Sequence, residues 1–180
     1  MEIGETLLVH SGQDFTDEGA LRPLTAEELQ QQRQILDAKG GDLRGASFSV
    51  EGDLYPGGTL PTGDGIDSSA VAPSGHWFCR GWFITNPGRP NPAVISTQEY
   101  LFGRISAAQP SPPDQLVSSG LEAGVPVTIR SLIGGAGRYR GVAGEVAQQT
   151  IGSNKTVFNG AGTPGPGGNP APNYRFYVTL

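Results

Sequence analysis

Residues 114–151 read DQLVSSGLEAGVPVTIRSLIGGAGRYRGVAGEVAQQTI, and this stretch decides the fold. It divides into three β-strands punctuated by glycine. Val125 to Ile133 is rich in β-branched residues, which suit a pleated, half-buried surface. It runs into Gly134-Gly135-Ala136-Gly137, whose glycines supply the positive φ angles that side chains resist, so a hairpin turn is expected there. Arg138 to Gly144 then leads into a strand that opens at Glu145. Gly141 and Gly144 permit bends or close backbone approach within it.

Working outward, alternation and flanking turn residues predict strands near 45–55, 75–85, 94–105, 114–122, 126–133, 140–151 and 172–180. That spacing suits a barrel or a sandwich. Residues 56–74 and 159–173 read as long Gly/Pro-rich loops. Near the start, Thr25-Ala26-Glu27-Glu28 is a capping box, predicting a helix over 26–38 that stops at Gly40-Gly41. Its apolar residues are few, so it needs a surface to pack on.

The chain has 180 residues, enough for one domain with a real core. It has 28 glycines and 15 prolines, but the prolines cluster at 87–92, 110–113 and 164–172 and leave alternating apolar runs between them, so the composition is that of a folded all-β protein. No apolar run reaches membrane-spanning length. Met1 to Glu5 is acidic and lacks the basic, then apolar, pattern of a secretory signal, so a cytoplasmic location is expected. Cys79 is the single cysteine, sits in an apolar run and reads as a buried filler.

The net charge of −5 argues against nucleic-acid binding. All of that excess lies in residues 1–44, where nine acids face four bases; residues 45–180 are balanced, eight against eight. The expected organisation is an acidic arm with a helix, 1–44, beside a neutral β-domain, 45–180.

The glycine-punctuated pattern resembles the barrel of plant allene oxide cyclases and dirigent proteins, in which a strand, a Gly-Gly-x-Gly turn, an aromatic, x-Gly and a Gly-x-Val strand follow one another. The likeness covers 45–180. Ser47 to Pro56 looks like the opening strand, Gly75 to Asn86 the second, and Tyr174-Arg175-Phe176-Tyr177-Val178 the closing one. In outline the chain is most similar to a bacterial branch of small cyclases that close spirotetronate or spirotetramate rings by intramolecular 4+2 cycloaddition. That resemblance implies a closed antiparallel β-barrel of about eight strands, allene oxide cyclase-like and calycin-like. It also implies no cofactor and an N-terminal extension that acts as a lid. The chain departs from the plant cyclases and the dirigent proteins in its acidic helical arm.

The residues themselves offer few catalytic constellations. His10 and His76 are the only histidines, and no HxxxH, HxH or CxxC spacing suggests a metal site. There is no G-x-S-x-G elbow and no P-loop. What remains is aromatics at strand spacing. In HWFCRGWFI, Trp77, Cys79, Gly81 and Phe83 share one face. Arg80 lies on the other and is costly inside an apolar barrel, so the Trp77 face is expected inward. In STQEYLFGR, Tyr100 and Phe102 are expected inward.

Gln115 opens its strand after a stiff Pro-rich loop, on the face of Val117. A neutral amide there can donate to a substrate carbonyl without the cost of burying a charge. Glu51 and Asp53 share a face, which suits either paired-carboxylate chemistry or a solvated surface. Candidate catalytic residues are therefore Gln115 and Tyr100. Candidate substrate contacts are Trp77, Phe83, Phe102, Val117, Glu51 and His76, and candidate lid residues are Leu7, Leu8, Val9 and Phe15. Arg80, Arg104, Arg130, Arg138, Arg140 and Arg175 are expected to receive the acidic arm at a rim.

The expected function is cofactor-free 4+2 ring closure of a hydrophobic linear polyene in polyketide biosynthesis. The partner is then that small molecule, with no nucleic acid and no membrane, and a homodimer is the assembly left open. Two other readings remain: a different barrel isomerase of the allene oxide cyclase or dirigent kind, and a lipocalin-like binding protein without turnover.

Overall fold

A computed structural model describes residues 2–6, 44–45, 47–85, 93–103, 114–123, 125–158 and 169–180. Among these residues there are nine strands: β1 Glu2–Thr6, β2 Ser47–Tyr55, β3 Gly63–Ile66, β4 Gly75–Phe83, β5 Ala93–Phe102, β6 Asp114–Ala123, β7 Val127–Ala136, β8 Gly144–Phe158 and β9 Asn169–Thr179. Short 3-10 turns at Ser68–Ala70 and Gly137–Tyr139 are the helical elements among the described residues. None of the described helices is long and apolar enough to cross a membrane. The predicted helix over 26–38 lies outside the described residues.

The strands form one sheet in the order β3-β8-β7-β6-β5-β4-β2-β1-β9, and β9 also pairs with β8. The chain is all-β, as its sequence predicts. The expected closed, wholly antiparallel arrangement is corrected in two respects. β3 joins β8 in parallel, so the pairing is mixed. The contact between β1 and β9 consists of two register pairs, Glu2↔Arg175 and Ile3↔Tyr174. The sheet is barrel-like rather than sealed by a continuous ladder.

β1 and β3 are the two strands that the sequence reading misses. β1 comes from within the span expected to be an arm, and pairs with β2 from Glu2↔Tyr55 to Thr6↔Glu51. β3 comes from the Gly/Pro-rich segment after β2. It can lie against β8 because Gly152 has φ 133 and no side chain; a Cβ there would sit 1.8 Å from the Gly63 carbonyl oxygen. Only glycine tolerates that approach.

The glycine-rich stretch is also used differently from the expected hairpin turn. Gly134 and Gly135 belong to β7, where a register shift against Val117 and Ser118 makes a β-bulge. The chain turns instead at Gly137, whose φ of 63 opens the 3-10 turn.

The pleat sorts side chains as alternation demands. Val50, Leu54, Trp77, Cys79, Tyr100, Leu116, Leu132, Val146 and Phe176 form the core. Arg80 lies outside, paired with Glu99 at 2.6 Å, so the predicted inward orientation of the Trp77 face is what is seen. Exposed Trp82, Ile95 and Leu121 mark the same outer surface, in register across β4, β5 and β6. Tyr100 meets Phe176 edge-on at 5.2 Å, a favoured aromatic geometry.

Candidate functional site

One end of the interior is polar. β5 contributes Ser96 and Gln98, β6 contributes Ser118 and Glu122, β7 contributes Arg130, and β8 contributes Gln148. All occupy inward positions at two-residue spacing, so the pleat aims them at one volume. Arg130 is 1 % exposed, an unusual location for a guanidinium. It is held on three sides. Nη1 donates to Glu122 Oε1 at 2.6 Å, Nε to Ser118 Oγ at 3.1 Å, and Nη2 to the Ser96 carbonyl at 2.8 Å.

Glu122 is the hub. Its Oε1 also accepts from Ser96 Oγ, in a close contact, and from Gln98 Nε2 at 3.1 Å. Its Oε2 accepts from Gln148 Nε2 at 3.1 Å. Gln98 Nε2 donates in turn to Gln148 Oε1 at 2.7 Å, and Tyr100 donates to Gln98 Oε1 at 2.6 Å. Burial first of all holds the Tyr100 phenol well above its ordinary value; the Ser118 hydroxyl and Arg130 offset this in part. Tyr100 is therefore a neutral donor that fixes the orientation of Gln98. A charge pair buried without such partners would be strongly unfavourable. Here each charged group is met by several.

Beside this cluster lies a cleft of about 360 Å³, lined by Glu122, Ala123, Val125, Pro126, Thr128, Gln148, Thr150 and Tyr174. Its volume is in the range of small-molecule sites. Its lining combines apolar Ala123, Val125 and Pro126 with polar Glu122, Gln148 and the two threonines. The ring of Tyr174 stands 6.3 Å from that of Trp77 and 6.1 Å from that of Phe176, which links the cleft to the aromatic layer beneath. The middle of the sheet is filled: Gln98, Tyr100 and Val146 are each 0 % exposed. Among the described residues, the cleft lies at the polar end rather than in this filled centre.

No protein-family model matches the chain, and no curated protein does. Among solved structures, a pyocyanin demethylase is similar over 99% of this chain and 98% of its own, at 13% identity and a TM-score of 0.48. A likeness at that level carries no inference about chemistry.

The structure scatters the residues expected to form a site. Trp77 and Tyr100 are inward, as expected, but both belong to the packed core. Phe83 ends β4 and is tilted against Phe48 at 5.4 Å. Phe102 packs at the opposite end of the interior from Glu122, against Tyr139 at 5.1 Å. The expectation for Gln115 and Val117 is corrected: alternation in β6 sends Leu116 and Ser118 inward, so these two take the outer face. Glu51 and His76 are likewise outward. Glu51 sits between inward Val50 and Gly52 on β2, and His76 Nδ1 lies 3.5 Å from Asp53 Oδ1 at the surface. Leu7, Leu8, Val9 and Phe15 lie outside the described residues, as does Arg104.

Of the arginines expected at a rim, Arg130 is corrected, and the acidic arm beyond Thr6 that they were expected to receive lies outside the described residues. Arg130 is interior, and Arg138 pairs with Asp114 at 2.9 Å. What the sequence reading missed is Glu122, Gln98, Gln148 and Arg130. A signal for them existed. Leu116, Ser118, Gly120 and Glu122 share one face of β6, and Thr128, Arg130 and Leu132 one face of β7. An acid near the end of β6 and a base near the start of β7 therefore occupy core-facing positions.

Proposed function

We propose that this protein is a cofactor-independent cyclase that binds a hydrophobic, carbonyl-bearing polyene in the cleft beside Glu122 and Gln148 and closes a six-membered ring in it by intramolecular 4+2 cycloaddition. On this reading the barrel-like sheet serves as a rigid scaffold for the cleft, and a linear tetramate or tetronate polyene is the substrate. The reaction forms two carbon–carbon σ bonds, leaves one new π bond in place of three, and transfers no proton or electron to the protein. Such chemistry asks a site for shape and for one well-placed donor. Restricting the chain to its reacting conformer can lower the barrier by several kcal/mol, and a hydrogen bond to the carbonyl conjugated with the alkene adds a smaller electrostatic contribution.

The observation that carries the reading is the Gln148 amide. It is held by Gln98 and Glu122 and lines a cleft that Ala123, Val125 and Pro126 also line. It takes the role that the sequence had suggested for Gln115. On this reading the reacting polyene folds in the cleft, against Val125, Pro126 and Tyr174.

Incubation with a linear tetramate-bearing polyene tests this. The expected result is a single regioisomer of a cyclohexene, formed at least about tenfold more slowly by Gln148→Leu. Recovery of tightly bound but unchanged polyene would replace this reading with that of a binding protein.

A further inference from the structure

The two oxygens of Glu122 are not equivalent. Oε1 receives Arg130, Ser96 and Gln98, which fills its lone-pair directions. Among the described residues, Oε2 receives Gln148 alone, so one direction is left. The Gln148 amide is in the complementary position. Its oxygen accepts from Gln98, one N–H goes to Glu122, and the second N–H has no described partner. Both side chains line the same cleft. An acceptor and a donor, 3.1 Å apart, are thus presented side by side.

The charge of this edge decides what fits it. Glu122 is matched by Arg130 at 2.6 Å, and the Arg130 side chain is fully buried, so the pair presents no net charge to the cleft. A cationic ligand would lose its hydration without finding an uncompensated carboxylate. A neutral ligand with an N–H beside a carbonyl loses little and satisfies both groups. We propose that the cleft recognises the edge of a cyclic amide, its N–H donating to Glu122 Oε2 and its carbonyl accepting from Gln148 Nε2. This rests on the cleft being the ligand site, and it narrows the head group of the substrate from lactam or lactone to lactam.

Calorimetric titration of the full-length protein with three matched probes tests it: a γ-lactam with an apolar alkyl tail, its N-methyl derivative, and the γ-lactone with the same tail. The lactam should bind at least about tenfold more tightly than either of the others, because each leaves Glu122 Oε2 facing a ligand that cannot donate. A primary amine with that tail should bind more weakly than the lactam. Glu122→Gln should bring the lactam-to-lactone ratio to about one, whereas Gln148→Leu should weaken both and keep the ratio, since both carry the carbonyl. The native-protein comparison stands even if a variant fails to fold. Equal binding of lactam and lactone, or tighter binding of the amine, overturns the lactam assignment and leaves the cleft as a site. Binding of no probe overturns both.

Discussion

The two ends of the interior are built from opposite materials. At one end Leu54, Leu116 and Leu132 pack with Phe102, Tyr139 and Val142, and burial of apolar area stabilises the fold. At the other end Arg130, Glu122, Gln98, Gln148 and Ser118 fill similar inward positions with hydrogen-bonding groups. Replacing such a network by apolar residues of matching shape is often neutral or stabilising, so stability alone does not call for it. The cleft opens at the polar end. The contrast teaches that the apolar end holds the sheet together and the polar end presents chemistry.

The largest expected effect is at Arg130. Arg130→Met leaves the partly buried Glu122 without its counter-ion and should cost about 3–5 kcal/mol in urea unfolding. Adding Glu122→Leu to that variant should recover most of the loss. A single-variant cost below about 1 kcal/mol would show that the pair is not the organising contact of that end. Next comes Leu116→Ala at the apolar end, with an expected loss of about 2–5 kcal/mol from lost transfer and the cavity left behind. It should leave ligand affinity unchanged. A weakened affinity would blur the division between the ends.

The smallest effect is at Tyr100, on the border between them. Tyr100→Phe leaves Gln98 Oε1 without its donor, for about 1–3 kcal/mol. Its pH dependence has a definite sign. Burial raises the folded phenol above the ordinary 10.0, so the neutral form is favoured on folding. That contribution is present below pH 10.0 and fades as the pH rises above it, when the unfolded chain ionises first. Urea midpoints at about pH 9 and about pH 11 should fall further apart in the native protein than in Tyr100→Phe. Equal falls would remove Tyr100 from the alkaline response.

Much of the architecture was legible in the sequence, because alternation and turn residues act locally. The faces of β4 and β5 followed from Arg80, which has to be paired or solvated, and from the aromatics opposite it. The unread strands lacked such local marks. Gly63–Ile66 is too short and glycine-rich to signal a strand, and it forms because β8 offers it an edge beside Gly152. The site was harder. Arg130 looks like a surface cation until Glu122, eight residues earlier on β6, is seen to share its face. Gln98 and Gln148 are fifty residues apart and meet only because β5 and β8 curl toward each other. Gln115 offers a neutral amide on a strand, but at a position where the pleat points it outward. A buried network made of distant residues leaves no periodic signature.

The most direct test is backbone and methyl chemical-shift mapping by NMR during titration with the alkyl γ-lactam. The account predicts shifts at Ala123, Val125, Thr128, Gln148, Thr150 and Tyr174, with Phe102, Gln115 and Tyr139 unmoved. Shifts confined to the Phe102 and Tyr139 end, with the surroundings of Glu122 silent, would contradict it.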